Sequence, residues 1–200
     1  SLDKTQLRPG DIRYEDVNDD GRITEDDMVW AERPSVPESM LGFGGSLYWK
    51  GFDFSFLFQG AFGASTYLTS GWYFQPFQAD REPKFMGNVL TNFLDRWTPE
   101  NQDPYAFSPR LYMGQNVNNY NSSTWWVRDS DYLRLKNLEF GYTLPRKVLD
   151  KMRMDNLRFY ISAQNLYTFS KFAREFWDPE VSADSYPIQA TVFLGVNLTF

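Results

Sequence analysis

The oxygens that Asp16 to Asp27 can offer fall in the order of an EF-hand-type calcium loop. Asp16, Asn18, Asp20 and Thr24 occupy positions 1, 3, 5 and 9, Gly21 occupies position 6, and Asp27 supplies a carboxylate at position 12. Ca²⁺ is a hard cation that takes about six to eight oxygens. Side chains of Asp16, Asn18, Asp20 and Asp27, the backbone carbonyl of Arg22, and a direct or water-bridged contact from Thr24 would serve it. Gly21 permits the sharp turn, and Ile23 would pin the loop to apolar neighbours. Two features depart from the pattern: Asp rather than the longer Glu at position 12, and no helical periodicity before the loop. The competing reading is an Asx-rich turn solvated without metal; Mg²⁺ and Na⁺ are the other ions the same oxygens would accept.

A second constellation is aromatic. Trp72, Tyr73, Phe74, Phe77, Trp125 and Trp126 lie in a long polar stretch, beside Gln115, Asn118, Asn119 and Asn121. Aromatic faces suit the C–H surface of pyranose rings, and carboxamides hydrogen-bond hydroxyls. On these grounds Trp72, Tyr73, Trp125, Trp126 and Asn119 are candidate substrate contacts. Loop-on-loop packing is the plainer use of the same residues. Asp178 and Glu180 have the spacing of a chance glycosidase pair, and the absence of histidine removes the usual general base. The sequence reads as a non-enzyme. It also has no cysteine, hence neither disulfide framework nor thiolate metal site. A net charge of −6 with no basic stripe argues against nucleic acid.

The elements that must position these residues are strands. In FDFSFLFQGAF, Phe52, Phe54, Phe56, Phe58 and Phe62 share one parity, interrupted by Gly60, while Asp53, Ser55, Leu57, Gln59 and Ala61 share the other. Successive strand side chains point to opposite faces, so one face is almost wholly phenylalanine. The chain closes with Val192, Leu194, Val196, Leu198 and Phe200 alternating against Thr191, Phe193, Gly195, Asn197 and Thr199. Alternation predicts five strands, at 41–49, 52–62, 131–143, 157–169 and 190–200. A helix over 87–97 and one helical turn near 144–156 complete the expectation. Lys50-Gly51 marks a two-residue hairpin.

Such strands suit transmembrane β-barrels, which need about 9–11 residues per tilted strand, apolar outward and polar inward. No run of about 18 apolar residues exists to form a membrane-crossing helix. Connections at 50–51 and 144–156 are shorter than those at 63–130 and 171–187. Barrels of this kind have short periplasmic turns and long extracellular loops. The alternation then places Trp49, Phe52, Tyr142 and Phe200 at a lower aromatic rim, and Phe62, Tyr67, Tyr167 and Phe169 near an upper one. The third strand conflicts with this: the parity of Leu138, Phe140 and Tyr142 carries Lys136 and Arg134 onto the same face. A basic residue facing lipid at mid-depth costs about 2–4 kcal/mol. Either a bulge near Asn137 switches the phase, or the strand runs in another register.

The residues at 9–24 (PGDIRYEDVNDDGRIT), 42–63, 131–149 (DYLRLKNLEFGYTLPRKVL), 157–172 and 191–200 closely resemble the C-terminal region of SusC/RagA-type TonB-dependent transporters, in the family's order. The resemblance implies an all-β, antiparallel fold: about five strands from the C-terminal part of a large transmembrane β-barrel with long extracellular loops. It divides the chain into an extracellular loop with the calcium-type motif (1–40), a barrel hairpin (41–62), a long extracellular loop (63–130) and three final strands (131–200). It further implies the cell outer membrane, a SusD-like surface lipoprotein as lid, oligosaccharide or peptide import, and energy from TonB through an N-terminal region outside this chain. Calcium would then be structural, stiffening an extracellular loop, and the loop aromatics would have the lipoprotein as another contact. Asp53, Gln59, Glu139, Arg158 and Gln164 would line or anchor the lumen. The rival is a secreted, calcium-stabilised β-sandwich that binds carbohydrate. What covers the Phe52–Phe58 face separates the two.

Overall fold

The computed structural model describes residues 7–68, 89–112, 116–182 and 185–200. Its strands in chain order are β1 (Ser39–Trp49), β2 (Phe52–Phe62), β3 (Ser65–Tyr67), β4 (Val127–Asp129), β5 (Tyr132–Thr143), β6 (Asn156–Phe169) and β7 (Thr191–Thr199). Two short helices, α1 (Arg146–Met152) and α2 (Lys171–Glu175), follow β5 and β6. The chain separates into two compact units, a loop unit of Ser1–Glu32 with Tyr67–Arg128 and a sheet unit of Arg33–Thr66 with Asp129–Phe200.

In the sheet unit, β1, β2, β5, β6 and β7 form one five-stranded sheet in that order, with every neighbouring pair antiparallel. The short β3 and β4 make a two-stranded sheet of their own. The β1–β2 hairpin turns on Lys50 (φ 48°) and Gly51 (φ 90°), both in the left-handed region that a two-residue turn of the right twist demands. Gly51 is needed twice, since a Cβ there would sit 2.7 Å from the carbonyl oxygen of Thr143. The one turn expected after β5 is a seven-residue helix, stopped by Arg153 in the left-handed conformation and anchored by buried Leu149. The stretch after β6, expected as loop, opens with α2. Ser170 caps it by accepting from the Ala173 amide at 3.2 Å, and Phe172 packs against Phe176 and Trp177.

In the loop unit, the helix expected over 87–97 is a 3-10 turn of four residues, Thr91–Leu94; residues 87 and 88 lie outside the described residues. The cause is long-range pairing. Ser108 donates to the Asp95 carbonyl and Trp97 to the Ser108 carbonyl, which turns the backbone out of helical geometry. Phe93, Leu68 and Trp126 are fully buried, with Phe107 edge-on to Phe93 and to Trp126.

Candidate functional site

The register joins the alternation of single strands into rows. Trp49, Phe52, Tyr142, Phe159 and Val196 stand side by side across five strands, and so do Leu47, Phe54, Phe140, Ile161 and Leu194. A third row runs Gly45, Phe56, Leu138, Ala163, Val192, and a fourth Phe43, Phe58, Leu135, Tyr167. Most of these large side chains stay open to the surroundings: Trp49 is 61% exposed, Phe140 46% and Leu194 83%. Among the described residues no second sheet is stacked on the rings. A continuous apolar surface larger than a few hundred Å² calls for a cover.

The opposite face is polar and charged. Arg158 donates from Nε to Asp53 Oδ1 at 3.0 Å, also pairs through Nη2 with Asp53 Oδ2, and reaches Glu139 Oε1 at 2.6 Å. One guanidinium thereby links β2, β5 and β6. Gly141 makes the room, because a Cβ there would fall 2.5 Å from Arg158 Nη2 and 2.6 Å from Asp53 Oδ1. The Arg158 cation also lies 4.9 Å from the Tyr160 ring centroid. Asp53, Glu139 and Arg158, read from parity as inward residues, are thus one cluster.

The conflict on the third strand resolves as a bulge. The β2–β5 register slips between Leu57 and Phe58, and the β5–β6 register between Leu135 and Asn137, leaving Lys136 unpaired. On β6, Asn165 takes φ 51°, a conformation that asparagine tolerates better than most residues. Beyond the slip, Leu133 and Leu135 continue the apolar face and Arg134 moves to the polar one. There it is 1% exposed: Nε donates to Thr168 Oγ1 at 3.0 Å, Nη2 to both oxygens of Asp178 at 2.7 Å, and Nη1 lies 2.7 Å from Glu180 Oε2. Asp178 and Glu180 are the counter-ions of a buried arginine, not a free acid pair. Sequence spacing held no sign of this, because the partners lie 44 residues apart.

The calcium-type loop is folded by its own acids. Asp16 accepts from the amides of Asp20 (3.1 Å) and Gly21 (2.7 Å), Asn18 from Asp20 (3.1 Å), and Asp20 from Arg22 (2.8 Å). Asp27 accepts from Val17 at 2.9 Å and from Thr24 at 2.7 Å; with the Thr24 side chain it caps the 3-10 turn Glu25–Asp27. The donor set is that of a hard-cation site. Among the described residues, however, no three carboxylates are gathered closely enough to hold an ion.

The candidate substrate contacts are redistributed. Asn119 is buried and ties the loop unit together. Its Oδ1 accepts from the Ile12 amide at 2.9 Å, its Nδ2 donates to Asp11 at 3.0 Å, and its carbonyl accepts from the Trp126 indole at 3.1 Å. Trp126 is wholly enclosed. Both side chains are enclosed within the loop unit. Trp125 is half-buried, and Trp72, Tyr73, Phe74 and Phe77 lie outside the described residues. A recess of about 760 Å³ opens in the same unit between Arg13, Tyr14, Glu15, Asp16, Ile23 and Asn118. Burial pushes the Tyr14 hydroxyl up to about 12, and it donates to the Asn118 carbonyl.

No family model matches the chain. Among curated proteins it is 34% identical over 212 residues to TonB-dependent receptor P26 of Formosa agariphila, covering 96% of this chain and 20% of that one. TonB-dependent receptor P3 of the same organism is 28% identical, with 96% and 19% covered. The fold matches structures of the RagAB peptide importer, in its open-open state with TM-score 0.67 at 23% identity and in its closed-closed state with 0.68 at 24%. Each covers 90% of this chain and 19% of the other. The resemblance to the C-terminal region of SusC/RagA-type TonB-dependent transporters therefore holds in sequence and in fold. The chain spans about one fifth of the length of the curated relatives it matches.

Proposed function

We propose that this chain forms part of the wall and outer loops of a TonB-dependent outer-membrane importer. The observation that carries the reading is the set of exposed apolar rows aligned across all five strands, backed by a polar face with its own ion pairs. Lipid is the cover that such a surface calls for. A sandwich would have to supply a second sheet there, and the exposed rings of Phe140 and Trp49 argue against it. The edges β1 and β7 lack neighbours among the described residues, and further barrel strands would pair them.

The imported class is peptides or oligosaccharides, with a SusD-like lipoprotein as the partner that closes over the long loops. The description of RagAB as a peptide importer supports the peptide side. Calcium enters this reading as a loop stiffener. A carboxylate has about four lone-pair sites, so oxygens that already accept amides in the Asp16–Asp27 loop keep acceptor capacity for a cation. The test of the transport reading is uptake of labelled peptide and oligosaccharide mixtures by cells carrying the full-length protein. Uptake that disappears on deleting either the receptor or TonB supports it. Unchanged uptake in both deletions of every mixture refutes it.

A further inference from the structure

At the long-loop end of the apolar face, a recess of about 370 Å³ lies where Leu133, Tyr167 and Phe169 meet the start of α2. Its floor continues the apolar rows: Leu133 pairs with Phe169 and Leu135 with Tyr167 in the β5–β6 register, and Tyr167 stacks edge-on to Phe169. Its rim carries Lys171 and Arg174, both exposed and neither paired with a carboxylate among the described residues. The lining has one acid, Asp131, and that acid is already engaged. Its Oδ1 accepts from the Gly63 amide at 2.6 Å, and its Oδ2 lies 3.1 Å from Arg33 Nη1. The buried ring of Phe172, packed on Phe176 and Trp177, fixes the turn that presents both cations.

We propose that this recess binds the phosphate-bearing headgroup of an anionic lipid, with Lys171 and Arg174 on the phosphate and the acyl chains along Leu133, Tyr167 and Phe169. Apolar wall and unpaired cations meet at one height of the sheet, which is the chemistry of an amphiphile with a negative head. A free anion would have no use for the aromatic wall, and an apolar ligand none for the cations. The inference rests on the lipid-facing reading of the sheet.

The test uses the full-length transporter in neutral detergent. Short-chain phosphatidic acid, short-chain phosphatidylcholine and inorganic phosphate are titrated separately, and bound copies are counted by native mass spectrometry. Wild type should retain phosphatidic acid in preference to phosphatidylcholine. The double variant Lys171→Gln/Arg174→Gln should bind phosphatidic acid about thirtyfold more weakly, the worth of two cations near an anionic lipid. An environment-sensitive label at Phe54→Cys in the same proteins reports whether that face of the sheet meets the hydrocarbon of the micelle or water. If that label reads hydrocarbon while the double variant binds phosphatidic acid as wild type does, this inference alone is overturned. If the label reads water, the underlying reading has failed instead. Inorganic phosphate competing as well as the lipid, or a double variant that loosens only a protein complex, would likewise reject a lipid site.

Discussion

The Tyr160 ring lies across Gly195 of the neighbouring strand so closely that a Cβ on the glycine would overlap its ring carbons. The same ring receives the Arg158 cation, whose guanidinium is held by Asp53 and Glu139. A glycine on β7 is therefore what lets an ion cluster on β2, β5 and β6 close over the polar face. Substituting Gly195→Ala should displace the ring and cost about 1–3 kcal/mol, the range for overpacking. The double change Gly195→Ala/Tyr160→Ala should cost less than the sum of the two single changes. Thermal midpoints of the full-length protein in detergent measure both; strict additivity would show that the two residues do not meet.

Arg134 gives a sharper stability test, because it is buried with two carboxylates against it. Arg134→Met leaves Asp178 without its cation and Glu180 with only Lys136, 3.9 Å away, and should destabilise by about 3–5 kcal/mol. Adding Asp178→Asn and Glu180→Gln removes the orphaned charges and should recover much of that loss. Denaturant or thermal unfolding of the three proteins decides it. No recovery in the triple variant would mean that the arginine acts through packing alone.

These two clusters mark where the sequence stopped being legible. Period-two alternation located all five strands of the sheet, because parity is a property of neighbouring residues. It also raised the conflict at Arg134 and Lys136 that the bulge resolves. Which of bulge or altered register would prevail depended on Asp178 and Glu180, far along the chain, and on a left-handed Asn165. The loop unit was less readable for the same reason. Asn119 and Trp126 look like exposed sugar contacts in a polar stretch, yet Asn119 is bonded to Ile12, 107 residues away. Which of these side chains are enclosed depends on contacts with residues far along the chain.

The calcium-type loop is tested by removing and restoring the ion. If Asp16, Asn18, Asp20 and Asp27 bind Ca²⁺, the intact protein should gain thermal stability with added calcium and lose it with chelator, and Asp20→Ala should abolish the difference. Identical melting with and without chelator would leave the loop held by its amide hydrogen bonds alone.

Alkaline stability follows from two half-buried phenols. Burial pushes both Tyr14 and Tyr120 up to about 12, against about 10 in an unfolded chain. Because the folded value is the raised one, their contribution is complete below pH 10 and is lost as pH climbs towards 12. Phenolate absorbance should show a late-titrating fraction that merges with loop unfolding. Tyr14→Phe should shrink that fraction and cost about 1 kcal/mol through the lost hydrogen bond to Asn118. Full titration of every tyrosine near pH 10 in the folded protein would contradict the burial.

The orientation of the sheet is tested most directly by a cysteine scan along β2 in the full-length protein reconstituted into vesicles. Single cysteines at positions 53 to 58 carry an environment-sensitive label, quenched in turn by lipid-borne and water-borne quenchers. Labels at Phe54, Phe56 and Phe58 should respond to the lipid quencher, and those at Asp53, Ser55 and Leu57 to the aqueous one. Quenching without that alternation, or aqueous quenching of the phenylalanine positions, would contradict a lipid-facing sheet.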